Sequence, residues 1–162
     1  MLSFNRRFFL VGAVALAGCG FTPAYGPNGS ARALQGAVLV QSPDSEDSYL
    51  MTRQLEDRLG RAAAPRFGLT YSLDFVEERM AISSTNITTR FNVAGKATYA
   101  LTDLATEEVL TTGTVNSFTG YSTTGSTVAT LAAERDARER LAVILADQLT
   151  ARLVAFSSSL PQ

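Results

Sequence analysis

The chain has 162 residues, a formal net charge of −1, a single cysteine, and neither histidine nor tryptophan. That inventory removes every Ser-His and Cys-His dyad and all the usual zinc ligands except carboxylates. The near balance of charge argues against general affinity for nucleic acid, and the length allows one compact domain with a tail.

Arg6 and Arg7 lead into an apolar stretch from Phe8 to Ala17, and Gly18 precedes Cys19. This is the charged, apolar, small-residue order of an export signal. The stretch falls short of the ~20 apolar residues that a spanning helix needs. Leu16-Ala17-Gly18-Cys19 looks like a lipobox, which predicts cleavage before Cys19 and covalent diacylglycerol and N-acyl chains on that residue. As the lone cysteine, Cys19 has no partner for an intrachain disulfide. One acyl chain binds a membrane only marginally, whereas two or more hold a protein there stably. Asn5-Arg6-Arg7-Phe8-Phe9-Leu10 resembles a twin-arginine motif, yet paired arginines are equally usual in general secretory signals, so both export routes stay open. Gly20 stands where lipoproteins kept in the inner membrane tend to carry aspartate, which favours the outer membrane by resemblance. Cleavage takes away 18 of the 162 residues and leaves 144. Two of the 14 basic residues and none of the 15 acidic ones leave with the signal, so the mature chain carries 12 and 15, a net charge of −3.

Pro23, Pro27, Gly26 and Gly29 make residues 19–34 an extended tether between lipid and domain. Ala37 to Val40 reads as a short first strand ending at Ser42-Pro43. A helix is predicted from Ser48 to Leu59, capped by Asp47 or Ser48, with Met51, Leu55 and Leu59 on one stripe and Gly60 just past its end. Leu69, Tyr71, Leu73 and Phe75 alternate with polar residues, the period of a half-buried strand. In the next strand Phe91, Val93, Gly95, Ala97, Tyr99 and Leu101 share one face, and Arg90, Asn92, Lys96, Thr98 and Thr102 the other. Residues 102–106 suit a hairpin turn, and Val109 to Thr119 returns as a last strand whose blurred parity suggests a bulge at Gly113. A long helix follows from Thr130 to Phe156, capped by Ser126 or Thr127. Its stripe is Ala137, Leu141, Leu145, Leu149 and Leu153, widened by Ile144 and Gln148, and residues 157–162 form a tail.

Strand, helix, three strands, helix predicts an α+β two-layer sandwich over residues 35–156, with both helices on one face of a four-stranded mixed sheet. The other face is left to threonine, serine, asparagine and a few charges, suited to water or a polar partner. Carboxylate pairs remain as catalytic candidates, in Asp44, Glu46 and Asp47 and in Glu77 and Glu78. The first group precedes a helix, where negative charge favours the free N–H groups, and the second ends a strand. Residues 120–125 carry one residue too many for a nucleophile elbow and have no histidine base, so they read as a loop. No residue is expected to be catalytic or to hold a metal.

Three segments carry a resemblance. They are Cys19-Gly20-Phe21-Thr22-Pro23-Ala24-Tyr25-Gly26, then Phe91-Asn92-Val93-Ala94-Gly95-Lys96-Ala97-Thr98-Tyr99-Ala100-Leu101-Thr102-Asp103, and Ala133-Glu134-Arg135-Asp136-Ala137-Arg138-Glu139-Arg140-Leu141. Through them the chain resembles the lipopolysaccharide-assembly lipoprotein family LptE, in its alphaproteobacterial form. The resemblance implies two helices against a four-stranded sheet, and a protein that plugs the lumen of the LptD β-barrel and helps insert lipopolysaccharide into the outer leaflet. An enclosed plug needs neutral hydrogen-bonding groups and few unpaired charges, and residues 109–127 contain no charged residue. The family's link to lipopolysaccharide, whose phosphates attract cations, makes Arg90 and Lys96 candidate contacts. They share one strand face roughly 20 Å apart, at about 3.3 Å per residue. The competing expectation is a general envelope lipoprotein that binds peptidoglycan or another assembly machine.

Overall fold

The structure, a computed structural model, describes residues 26, 29–82, 88–123 and 125–160. The signal, Cys19 and most of the expected tether lie outside the described residues. Four strands, β1 (Val38–Val40), β2 (Phe67–Ile82), β3 (Thr88–Asp103) and β4 (Val109–Ser122), form one sheet in the order β1-β2-β3-β4. β1 runs parallel to β2 and is joined to it through helix α1 (Glu46–Leu59), while β2, β3 and β4 are an antiparallel meander. Helix α2 (Thr127–Phe156) follows β4. Both helices cover the face carrying Phe67, Leu69, Tyr71, Val93, Ala97, Tyr99, Leu101 and Val115, which makes this the α+β sandwich that the order of elements predicts.

α1 starts two residues earlier than its apolar stripe suggests, because its cap is Ser45. The Ser45 hydroxyl accepts the Ser48 N–H at 3.2 Å, and the Ser48 hydroxyl accepts the Ser45 N–H at 2.8 Å. Ser48 is therefore the third helical residue of a capping box, not the cap. Met51, Leu55 and Leu59 are buried, and Gly60 ends the helix at a φ of 79°, where a side chain would be strained. α2 starts at Thr127 with Ser126 as its cap. Its stripe of Ala137, Leu141, Leu145, Leu149 and Leu153 is fully buried. The widening falls on Ala142, Ala146 and Thr150, whereas Ile144 and Gln148 are only half-buried. The reason is α1, which lies along that side and is tied to α2 by Arg53–Glu139, Arg58–Asp147 and Arg138–Asp47 at 2.6, 2.6 and 2.8 Å. The segment from Thr127 to Ser159 is apolar and long enough to cross a membrane, but Leu141, Leu145, Leu149 and Leu153 within it are buried in this core.

β2 runs seven residues beyond Phe75. Glu77 and Glu78 sit inside it, because the backbone ladder to β3 continues where the apolar alternation stops. The β4 irregularity lies at Leu110, between the pairs Leu101–Thr111 and Thr102–Val109, and not at Gly113. Gly113 instead stays in register opposite Tyr99, whose hydroxyl would meet a Cβ there at 2.6 Å. Residues on either side of 35–156 also pack against the core. Ala31 and Leu34 are buried, Leu160 joins the core, and the Ser157 hydroxyl donates to that of Ser30 at 2.9 Å. Leu34 and Leu160 fall outside the periodic stretches, so no pattern in the sequence marks them as core.

Among the described residues, Thr150 Oγ1 is a buried polar atom with no hydrogen-bond partner. Thr150→Val keeps the shape and removes the stranded hydroxyl, and chemical denaturation should show a gain of about 1 kcal/mol. Gly113→Val forces a methyl group into the Tyr99 ring and should cost about 1–3 kcal/mol in the same assay.

Candidate functional site

With both helices on one face, the even-numbered residues of the meander line the other, which no described element covers. Toward the turn between β3 and β4 this face is a neutral polar field, in which Thr98 and Thr114 hydroxyls stand 3.3 Å apart and Thr112 is exposed beside them. Threonine suits such a surface because its branched Cβ favours extended backbone while its hydroxyl stays available.

The other half is an apolar hollow. Val76, Ala94 and Phe118 form one cross-strand row, and Met80 lies further along β2. Small Ala94 between larger neighbours makes the dip, a concavity of about 410 Å³. Val76, Met80 and Phe118 are 50, 56 and 67 % exposed, high for large apolar side chains grouped together. One rim is the row Asp74, Lys96, Asn116, and Glu78 and Asn92 form the other.

Lys96 is thus placed at the rim, opposite Asp74 and Asn116, and makes no ion pair among the described residues. Arg90 is exposed on the same face but lies past the hollow, paired in register with Ala81 and Ser122. The structure therefore sets one of the two candidate cations at the hollow and leaves the other outside it. The hollow itself went unread in the sequence. Its signal was the apolar parity of Val76, Met80 and Phe118, opposite to that of the core residues on the same strands.

The carboxylates disperse. The Asp44 carboxylate accepts from the Ser48 hydroxyl at 3.0 Å, and Asp47 is paired with Arg138. Glu77 and Glu78 point to opposite faces of β2, as neighbours in a strand must. Glu77 accepts from the Tyr121 hydroxyl at 2.9 Å on the helix side, and Glu78 rims the hollow. Gly120, Tyr121 and Ser122 end β4, so only the residues after them connect strand to helix. Among the described residues, no three His, Cys, Asp or Glu side chains gather where they could hold a metal.

A model of the LptE family, described as lipopolysaccharide-assembly, matches residues 36–153. The chain belongs to the LptE family. Its work accordingly lies in lipopolysaccharide assembly, as a protein of the cell envelope. Solved structures share the LptE fold at low identity. A lipoprotein from Caulobacter crescentus has a TM-score of 0.67 at 18 % identity, with 79 % of this chain and 96 % of that one covered. The rare lipoprotein B of Shewanella oneidensis gives 0.58 at 9 %, covering 76 % and 96 %. A lipoprotein B from Nitrosomonas europaea gives 0.56 at 14 %, covering 75 % and 84 %. No curated protein sequence matches the chain.

At the end of the sheet where α2 begins, Tyr121 stacks on Phe91 with ring centroids 5.4 Å apart. Burial of Tyr121, with its hydrogen bond to Glu77, pushes its phenol up from 10.0 to about 12. Burial also raises Tyr71, whose hydroxyl is 2.7 Å from Thr52 Oγ1 and donates to the Ser48 carbonyl. A raised folded-state value means that this contribution to stability is complete below pH 10 and is lost as pH climbs toward 12. Thermal melts across that window should fall steadily, and less steeply for Tyr121→Phe; parallel curves for the two proteins would contradict the assignment.

Proposed function

We propose that this protein is an outer-membrane lipoprotein, lipidated on Cys19, that plugs an LptD-type β-barrel, assists its assembly and takes part in inserting lipopolysaccharide into the outer leaflet. It acts as a binding partner and not as an enzyme. The observation that carries the reading is the uncovered sheet face of an LptE-family sandwich, rich in threonine, asparagine and serine. The neutral half of that face, toward the turn between β3 and β4, can exchange water for the polar inner wall of a barrel without stranding charge, because each neutral hydroxyl or amide finds a donor or acceptor there. Lipid on Cys19 holds the domain at the membrane, so the protein needs no cofactor beyond its covalent acyl chains.

In this reading Lys96 and Arg90 supply the cationic contacts to lipopolysaccharide phosphates, with the apolar hollow beside Lys96. Hydrogen bonds to charged groups are worth about 1.5–3 kcal/mol each, so Arg90→Ser with Lys96→Ser should weaken lipopolysaccharide binding by roughly tenfold or more. Because both residues are exposed, the melting temperature should stay nearly unchanged; unaltered affinity removes them from the site.

The partner is tested by affinity purification of a C-terminally tagged copy from detergent-solubilised outer membranes, followed by mass spectrometry. A barrel of the LptD type in near-equal amount is expected. Recovery of a peptidoglycan or inner-membrane partner without a barrel would replace this reading with that of a general envelope lipoprotein.

A further inference from the structure

The uncovered face of the meander divides by strand as well as by length. On β2 it carries the carboxylates Asp74 and Glu78, on β4 it carries no charge, and on β3 its only charges are the cations Arg90 and Lys96. Both cations are exposed, and among the described residues neither enters an ion pair. Along β3 they bracket the hollow. Ala94, its floor, lies two residues from Lys96 and four from Arg90, about 7 and 13 Å at 3.3 Å per residue.

The hollow is a trough across the strands. Val76, Ala94 and Phe118 line it, and the polar rows on its two sides stand two residues away along each strand, about 13 Å apart from rim to rim. It is open toward β4, beside which no described element lies. Its size, about 410 Å³, falls within the range of pockets that hold small molecules. The apolar row offers an occupant no side-chain hydrogen bond, so what fits it is hydrocarbon. An anionic part of the same molecule has to lie over β3 and β4, where cations and neutral groups stand, and away from the carboxylates of β2.

We propose that the hollow seats an acyl chain of lipopolysaccharide, which enters from the β4 side, lies on Ala94 between Val76 and Phe118, and leaves the phosphates over Lys96 and Arg90. This seat deepens the lipopolysaccharide role proposed above and rests on it, but it does not depend on the barrel. The lipid part of lipopolysaccharide carries its acyl chains between two anionic groups, as the trough lies between two cations, whereas an ordinary phospholipid has a single phosphate at one end. Each half of the face then has its own partner. Threonines toward the turn between β3 and β4 meet a polar protein wall, and the hollow meets hydrocarbon. Ala94 sets the depth of the seat, because a larger side chain there raises the floor to the level of its neighbours and expels the chain.

In full-length protein expressed in place of the natural copy, a photoreactive benzoylphenylalanine replaces Phe118, Val76 or Thr112, one position at a time. Adducts formed in living cells are identified with an antibody to lipopolysaccharide and by mass spectrometry. Lipopolysaccharide adducts are expected at Phe118 and Val76, at least about tenfold above Thr112 in the neutral half, where the barrel is the expected capture. Ala94→Leu, added to the Phe118 probe, fills the hollow and should lower the lipid adduct at least about fivefold with little change in melting temperature. As a check against misfolding of that variant, Val76→Asn makes the wall polar without adding bulk and should do the same. A protein or phospholipid adduct at both hollow positions, lipopolysaccharide labelling no stronger than at Thr112, or labelling that survives both variants would each overturn the seat. Barrel captured at Thr112 beside any of these leaves the plug reading standing. Lipopolysaccharide at the hollow positions with no barrel at Thr112 keeps the seat and removes the plug.

Discussion

A Cβ on Gly95 would stand 2.8 Å from a methyl of Leu141 and 2.9 Å from the Phe75 ring, so the missing side chain sets how low α2 can lie on the sheet. From that contact the leucines of α2 run in a buried row along the sheet, and α1 takes the remaining width beside them. The two helices together use up one face. Whatever the sheet offers a partner must therefore come from the other face or from its edges, and the meander has presented different chemistry on each.

Much of this was legible in the chain. Alternation in Leu69 to Phe75 and in Phe91 to Leu101 marks half-buried strands, and leucines four apart mark α2, because burial of one face imposes those periods. The residues that escaped reading are the ones set by something other than burial. Hydroxyl geometry, not hydrophobic pattern, starts α1 at Ser45. Pairing with β3 carries β2 through Glu77 and Arg79, where side-chain periodicity has nothing left to report. The choice of Ala142 and Ala146 over Ile144 depends on which side α1 takes, a tertiary fact.

The candidate site shows the same division. Lys96 and Arg90 were recognisable as cations of one parity, but only the registered rows reveal that Lys96 borders the hollow while Arg90 lies beyond it. Val76, Met80 and Phe118 look like ordinary strand residues until their parity is compared with the core. A patch that exposed is costly in water and easily wetted at its rim, a combination that suits a surface engaged for part of its life.

The bond between Ser157 and Ser30 has a consequence for where the molecule is held. It pins the start of the folded unit to the last turn after α2, and from there the chain enters β1 beside Phe67, so the leash attaches at one end of the sheet. The hollow lies toward the opposite end, roughly nine strand residues or about 30 Å further on. With lipid on Cys19 as proposed, the eleven residues up to Ser30 can extend to at most about 40 Å. The hollow therefore stands no more than about 70 Å from the anchored residue, at the end of the sheet opposite the attachment.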